Sequence, residues 1–290
     1  MVVLTVKHGT DLQFLYECSN KTPIRELKED LRKIYNGRLK IERIATEMEQ
    51  LAEHGTILPE NMQGLNESQV SDLKLVDPFT SKCIPSGGFE IKKDIYGRRN
   101  GQAPMENMAK ILKETAQKAK DLVSKKRIDE KFNMTYETVD EALQIMKGAV
   151  MIVYPMDLPP YDPVRAELEN KEDLSGQQAS KLVIPEHSIA IWWANKELHD
   201  EKLLCDYSGK NDRTKLAVKI QKSGQSAPAR EPVVSEEQQK EMMMRAYRRQ
   251  EELKKLAEAD DDNYMNTAWA DSGNLKRSLT GMGNIKWGPR

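Results

Sequence analysis

The sequence predicts an α+β fold: an N-terminal β-grasp-type hairpin and helix, a mostly α-helical middle and an extended C-terminal tail. Three observations carry that reading. The opening "MVVLTVKHGTDLQFLYE" alternates apolar and polar residues. Between residues 24 and 153 the apolar residues recur at steps of three and four. Beyond residue 222 the chain is polar or charged almost throughout, with Trp269 and Trp287 set into it.

The bulk numbers bound what such a chain can do. At 290 residues it is long enough for one large domain or two small ones. Hydrophobic residues make up 38% and charged residues 31%, so a modest core with well-exposed helices is expected. A net charge of −1 gives no whole-molecule field toward nucleic acid or a membrane. Cys18, Cys83 and Cys205 are odd in number, far apart and without a CxxC, which reads as reduced, buried thiols of a cytosolic protein. The N-terminus lacks the basic segment and apolar run of a signal peptide. No stretch approaches the roughly 18 apolar residues of a membrane span. The sequons at Asn20, Asn66 and Asn133 are then chance occurrences.

In the first strand Val2, Leu4 and Val6 share a face; in the second, Leu12, Phe14, Tyr16 and Cys18 do. "HGTD" supplies the turn of a hairpin. Thr22 is positioned to cap a helix with Pro23 at its first position and a stripe of Ile24, Leu27, Leu31 and Ile34. Hairpin followed by helix resembles the opening of a β-grasp, ubiquitin-like roll. A separate stripe of Ile41, Ile44, Met48 and Leu51 follows, ended by His54 and Gly55. "LKLVDPFTSKCIPSGG" can supply a late strand, and Gly87-Gly88 reads as a loop pair. "GRRNGQAP" (97–104) reads as a basic linker; without GK[ST] it is no phosphate loop. Met108, Ile111, Thr115, Ala119 and Leu122 mark a helix with a basic outer face, read as solvated rather than as a nucleic-acid or lipid surface.

"GAVMIVYPMDLPPYDPVRAELEN" (148–170) is the most unusual stretch. Val139, Leu143, Met146, Val150 and Val153 keep a helical period into it, with a strand at 149–154 as the alternative. Pro155 stops either element, Pro159 and Pro160 stiffen the corner, and Asp162-Pro163 starts a helix. Asp157 is expected to face water, so the two aspartates form no acid/base pair. The corner reads as a rigid docking surface.

Leu182, Ile184, Ile189, Trp192, Trp193 and Leu198 read as a helix after Pro185, on which adjacent tryptophans point about 100° apart, either both buried or one to the core and one to a partner. "SGKN" (208–211) is half a phosphate loop and lacks its other half. Ser235 opens a long charged helix with a thin face of Met242, Ala246, Leu253 and Ala257. The plan is therefore a β-grasp-like domain at 1–88, a helical domain at 102–222, a linker at 223–234, a charged helix at 235–259 and an extended tail at 260–290. Pro159, Pro160, Tyr161, Trp193, Met243, Tyr247, Trp269, Ile285 and Trp287 are the expected partner contacts, the tail residues Trp269, Ile285 and Trp287 anchoring either onto a partner or onto the chain's own domain. No HExxH, clustered Cys/His set, G-x-S-x-G or dinucleotide fingerprint is present, which favours interaction over catalysis.

The strings "YNGRLK", "EMEQLAEHG", "LPENMQGL", "GRRNGQAP", "GAVMIVYPMDLPPYDPVRAELENKEDLSG", "SAPAREP", "RRQEELKKL" and "IKWGPR" occur in this order. Together they make the chain resemble the Kurly family of cilia- and flagella-associated proteins, almost end to end. The resemblance implies a non-enzymatic factor in ciliary motility that helps assemble axonemal dynein arms, outer arms especially, and orients cilia. It implies dynein-assembly factors or axonemal dynein chains as partners, and cytoplasm, basal body and cilium as locations. It implies no catalytic residue, cofactor or metal. A structural component held stably on the axoneme is the alternative.

Overall fold

The computed structural model describes residues 1–229 and the helix at 236–266. Residues 1–229 form one compact unit, and the remainder belongs to a second. The N-terminal elements are β1 (Val2–His8), β2 (Asp11–Cys18) and the long helix α1 (Ile24–His54). A short α2 (Glu67–Asp72) and the pair β3 (Phe89–Ile91) and β4 (Gln102–Pro104) follow. Then come α3 (Glu106–Leu122), α4 (Tyr136–Val153), α5 (Pro163–Leu168) and α6 (Ala179–Leu182). The unit closes with β5 (Ile189–Trp193), β6 (Lys196–Glu197), α7 (Cys205–Ser208) and β7 (Lys215–Lys222). The second unit contains α8 (Glu236–Asn266).

The α+β class and the opening hairpin and helix are as the sequence predicts. The main sheet runs β2-β1-β7-β5-β6, with β1 parallel to β7 and the other pairs antiparallel. Two hairpins flanking a central parallel pair is the strand order of a β-grasp roll. Its second half, however, comes from residues 189–222, not from residues 73–88, which carry no strand among the described residues. The roll is therefore split, and residues 55–188 are inserted between its helix and its third strand. A β-grasp domain ending at residue 88 and a helical domain at 102–222 do not describe this arrangement.

The reading of Ile189 to Leu198 as helix is corrected to a hairpin. "IAIWW" is β-branched and aromatic, which suits a pleated surface. Ala194 and Asn195 both have positive φ, 47° and 66°, as a two-residue type I′ turn requires. On a strand the two tryptophans take opposite faces: Trp193 joins Ile189 and Ile191 against the core, and Trp192 faces away. "KLAVKIQK" forms β7 with Leu216, Val218 and Ile220 buried, a clean period of two.

The two stripes expected at 24–34 and 41–51 are one unbroken helix. Nothing between them, Gly37 included, breaks the α1 ladder, and thirteen of its residues are buried. Its N-terminus is not capped by Thr22. Pro23 is the N-cap residue, and the Ile24 amide instead donates to Lys202 O at 3.0 Å. At the other end Gly55, with φ 78°, donates to Leu51 O, and a Cβ there would collide with Gln102 O. The supposed linker at 97–104 packs here. Leu58 donates to Arg98 O and Asn100 to Thr56 O, so the segment runs as a ribbon alongside 55–58.

α1 spans both parts of the unit. Lys28 pairs with Asp200 and Arg32 with Glu186, holding its first half beside the second half of the sheet. Lys113 pairs with Glu53 and Lys120 with Glu49, each at 2.6 Å, so carboxylates of α1 neutralise part of the basic face of α3. The buried stripe of α3 is Leu112, Ala116 and Ala119, rotated from the predicted one so that small residues meet the neighbouring helices. α4 is helical through Val153, which settles the helix–strand alternative at 149–154. One hydrophobic cluster runs from Val2 and Val218 in the sheet to Met146 and Val153 in α4.

Gly37 marks a close helix contact: a Cβ built on it would clash with Val139 Cγ1 of α4. Valine on a helix has little χ1 freedom to yield. Gly37→Ala is therefore expected to lower stability by about 1–3 kcal/mol through overpacking, outweighing the gain in helix propensity. Urea unfolding of Gly37→Ala, and of Gly37→Ala with Val139→Ala, measures it. A higher midpoint for the single variant would contradict the close packing.

Candidate functional site

The corner from Tyr154 to Pro163 is built by local chemistry and pinned from below. α4 stops because Pro155 has no amide hydrogen and disfavours helical geometry at Tyr154. Tyr154 is buried at the turn. Asp157 sits at φ 68°, its carboxylate accepting from the Leu158 amide at 3.1 Å and facing Arg165 at 3.4 Å. Arg165 also donates to Leu158 O at 2.6 Å and to Glu169 at 2.8 Å, so one guanidinium braces the loop against α5. Tyr161 donates its hydroxyl to Asp77 at 2.8 Å, and its ring meets Phe79 edge-on at 5.8 Å. Burial and the Asp77 carboxylate hold that phenol protonated, well above its ordinary pKa.

Asp162 caps α5 as expected, accepting from Val164 N at 3.0 Å. It does more than cap: fully buried, it also accepts from Ile57 N at 3.3 Å. Burial raises its carboxyl above the usual range, against the opposing pull of Arg99. Arg99 is itself buried, donating to Gly55 O at 2.7 Å and to Glu47 of α1 at 2.6 Å. Its backbone amide, with those of Tyr96 and Arg98, is held by the Asp94 carboxylate. The corner thus rests on a polar node reaching back to the end of α1.

This geometry answers the acid/base question. Asp157 is exposed and braced by Arg165, and Asp162 is committed to two backbone amides; they share no pocket. "SGKN" is also accounted for: Gly209, at φ 80°, ends α7 by donating to Cys205 O, and its carbonyl accepts from Asn20. Among the described residues no group of His, Cys, Asp and Glu is arranged to hold a metal ion. Among them, too, no helix is long and apolar enough to cross a membrane.

Apart from the exposed Asp157, what the corner presents outward is apolar. Met151 and Ile152 on the outer face of α4 are 62% and 59% exposed, and Met156 is 70% exposed. Pro155 and Pro160 are exposed beside them in the chain. Of the residues expected to contact partners, Pro160 is exposed, Tyr161 half-buried and Pro159 buried as part of the support. Trp193 is not a free anchor: it lies in β5, half-buried against the core. Met243 and Tyr247 are exposed one turn apart on α8. Trp269, Ile285 and Trp287 lie outside the described residues. Met151, Ile152 and Met156 were missed, although "GAVMIVY" carried the signal: a helix end apolar all round must turn some of its side chains away from the core.

The fold defines a β-grasp protein with a large insertion, whose corner carries an exposed apolar patch. A family model described as cilia- and flagella-associated protein 298 matches residues 189–285. Cilia- and flagella-associated protein 298-A of Xenopus laevis is 56% identical over 290 residues, covering both chains completely. The Homo sapiens protein of that name is 54% identical with the same coverage, and the Drosophila melanogaster protein 48% over 99% of each chain. The chain belongs to the family of cilia- and flagella-associated protein 298, for which Kurly is another name. No solved structure matches it.

Asp162→Ala is expected to cost about 2–4 kcal/mol, combining a lost cap of about 1 kcal/mol with a stranded buried amide at Ile57. Chemical denaturation measures the loss. A cost below about 1 kcal/mol would mean that the second bond, to Ile57, contributes nothing.

Proposed function

We propose that this chain is a non-enzymatic protein-interaction factor of motile cilia that helps assemble axonemal dynein arms, the outer arms especially, and position cilia. It acts on this reading in the cytoplasm and at the basal body and cilium, on other dynein-assembly factors or axonemal dynein chains. The observation that carries the docking part is the patch of Met151, Ile152 and Met156 standing on a braced corner. A braced backbone under these side chains has little freedom left to lose when a partner covers them. The ciliary part is supported by the names of the relatives, each described as associated with cilia and flagella.

One observation favours a second reading, a structural component held stably on the axoneme. α8 exposes Met243, Tyr247, Leu253 and Leu256 along its length, material for a large and partly apolar interface. Fractionation of ciliated cells separates the two. An assembly factor is expected mostly in soluble cytoplasm, whereas retention on salt-washed axonemes would overturn that role in favour of the second.

The patch has its own test. Ile152→Glu with Met156→Glu is expected to leave the melting temperature within about 2 °C of the parent, since both side chains are already exposed. The same pair is expected to weaken capture of dynein-assembly factors by about tenfold or more. Undiminished capture would move the docking surface away from the corner.

A further inference from the structure

A groove of about 910 Å³ lies beside the corner, between α1, the loop at 57–63, α5 and the segment 171–182. It reaches the corner at Tyr161 and Pro163, and Leu39, Ile57 and Leu58 give it apolar walls. Its charged lining is six carboxylates (Glu42, Glu47, Glu60, Glu167, Glu172 and Asp173) against three cations (Arg43, Arg98 and Lys171); Arg99 and Lys40, outside the lining, pair with Glu47 at 2.6 Å and Glu172 at 3.3 Å, which leaves Glu42, Glu60 and Asp173 without an ion pair among the described residues. Two of those cations are already engaged, Arg43 by Glu167 at 2.9 Å and Lys171 by Glu169 at 2.8 Å. Glu42 and Glu60 are exposed, and neither forms an ion pair among the described residues.

A second feature points the same way. The Glu167 side chain is only 9% exposed, and while one oxygen accepts from Arg43 Nε, Oε2 is buried without a hydrogen-bond partner among the described residues. A buried carboxylate oxygen in that condition costs stability unless something donates to it. Glu172 on the same wall takes Lys40 at 3.3 Å and shares Arg43 at 3.9 Å, and neither cation donates to Glu167 Oε2.

We propose that this groove receives a Lys- or Arg-bearing segment of a protein partner. The partner's apolar side chains lie on Leu39, Ile57 and Leu58, and its cations meet the rim carboxylates. The excess of carboxylates disfavours nucleic acid and anionic lipid, whose phosphates the rim repels. The inference names the chemistry of a partner that also touches the corner, and so rests on the docking reading above. Complementary charge at such a rim acts on approach and on partner choice.

The test uses the full chain and fluorescence anisotropy. The probe is a fluorescein-labelled amphipathic peptide of Leu and Lys, with a matched peptide carrying Glu in place of Lys. Only the Lys peptide is expected to bind. Glu42→Lys with Glu60→Lys, both at exposed positions, is expected to weaken it by about tenfold or more. The control pair, Glu137→Lys with Glu141→Lys on the exposed side of α4, makes the same change in net charge and is expected to alter binding by less than about twofold. Equal weakening by both pairs would reduce the effect to bulk charge, and unchanged binding in the groove pair would place the peptide elsewhere; either overturns the proposal. The corner is read separately. Partner capture lost in the Ile152/Met156 variant with peptide binding intact supports the groove independently, while partner capture intact with the groove pair inert sinks the groove alone.

Discussion

The guanidinium of Arg38 sits where the sheet, α1 and the end of α3 meet. It is buried, donates to Val123 O at 3.0 Å and to Gln13 O at 2.6 Å, and lies 5.7 Å from the ring centre of Phe14. Burial pulls its pKa below the usual arginine value, and carbonyl oxygens accepting from Nε and Nη1 offset part of the cost of burying the cation. One residue earlier, Gly37 lets α4 approach. These adjacent positions mark the middle of the helix that reaches both parts of the unit. On one side of them α1 completes a β-grasp roll; on the other it is the wall against which the insertion packs. Without an unbroken α1, the roll and the insertion would have no common core.

The insertion explains how a surface corner comes to be rigid. Its polar node runs from Glu47 through Arg99 to the backbone at 55–57, where Asp162 holds the Ile57 amide, and each group is satisfied by a partner distant in sequence. Burying such charges is costly on its own account, and their gain is in specifying one arrangement. Here the arrangement fixes where α5 begins, and with it the angle at which Met156 and Pro160 are presented. The groove ending at Tyr161 adjoins this node, since Glu47 and Ile57 belong to both.

Much of this was legible residue by residue. The period of two in "VVLTVKH" and the period of 3.6 through Val139 and Val153 each survive because the local preference and the buried face agree. Asp162 was recognisable as a cap because Asp followed by Pro is favourable chemistry at a helix start wherever it occurs. Misreadings came where short stretches admit two periods. "IAIWW" fits a helix face or a strand equally well over five residues, and the positive-φ pair at Ala194 and Asn195 is invisible because alanine rarely adopts that conformation. Arg99 looked like part of a linker because a Gly-rich basic string has no apolar pattern. Its burial depends on Gly55 and Glu47, more than forty residues away.

By itself the sequence determined the class of elements: alternation makes strands, three- and four-residue steps make helices, and prolines end them, all through backbone sterics within a few residues. The family was also readable there, since long strings in fixed order carry it without any coordinates. Only the tertiary structure decided that β7 lies parallel to β1, so that residues 189–222 complete a roll begun at residue 2. Strand partnership is a contact between segments whose separation in sequence leaves no local trace. The same holds for the apolar patch and the groove: whether Met151 or Glu42 faces water depends on which side of its helix the rest of the chain covers, and that is settled only when α1, α3 and α4 pack.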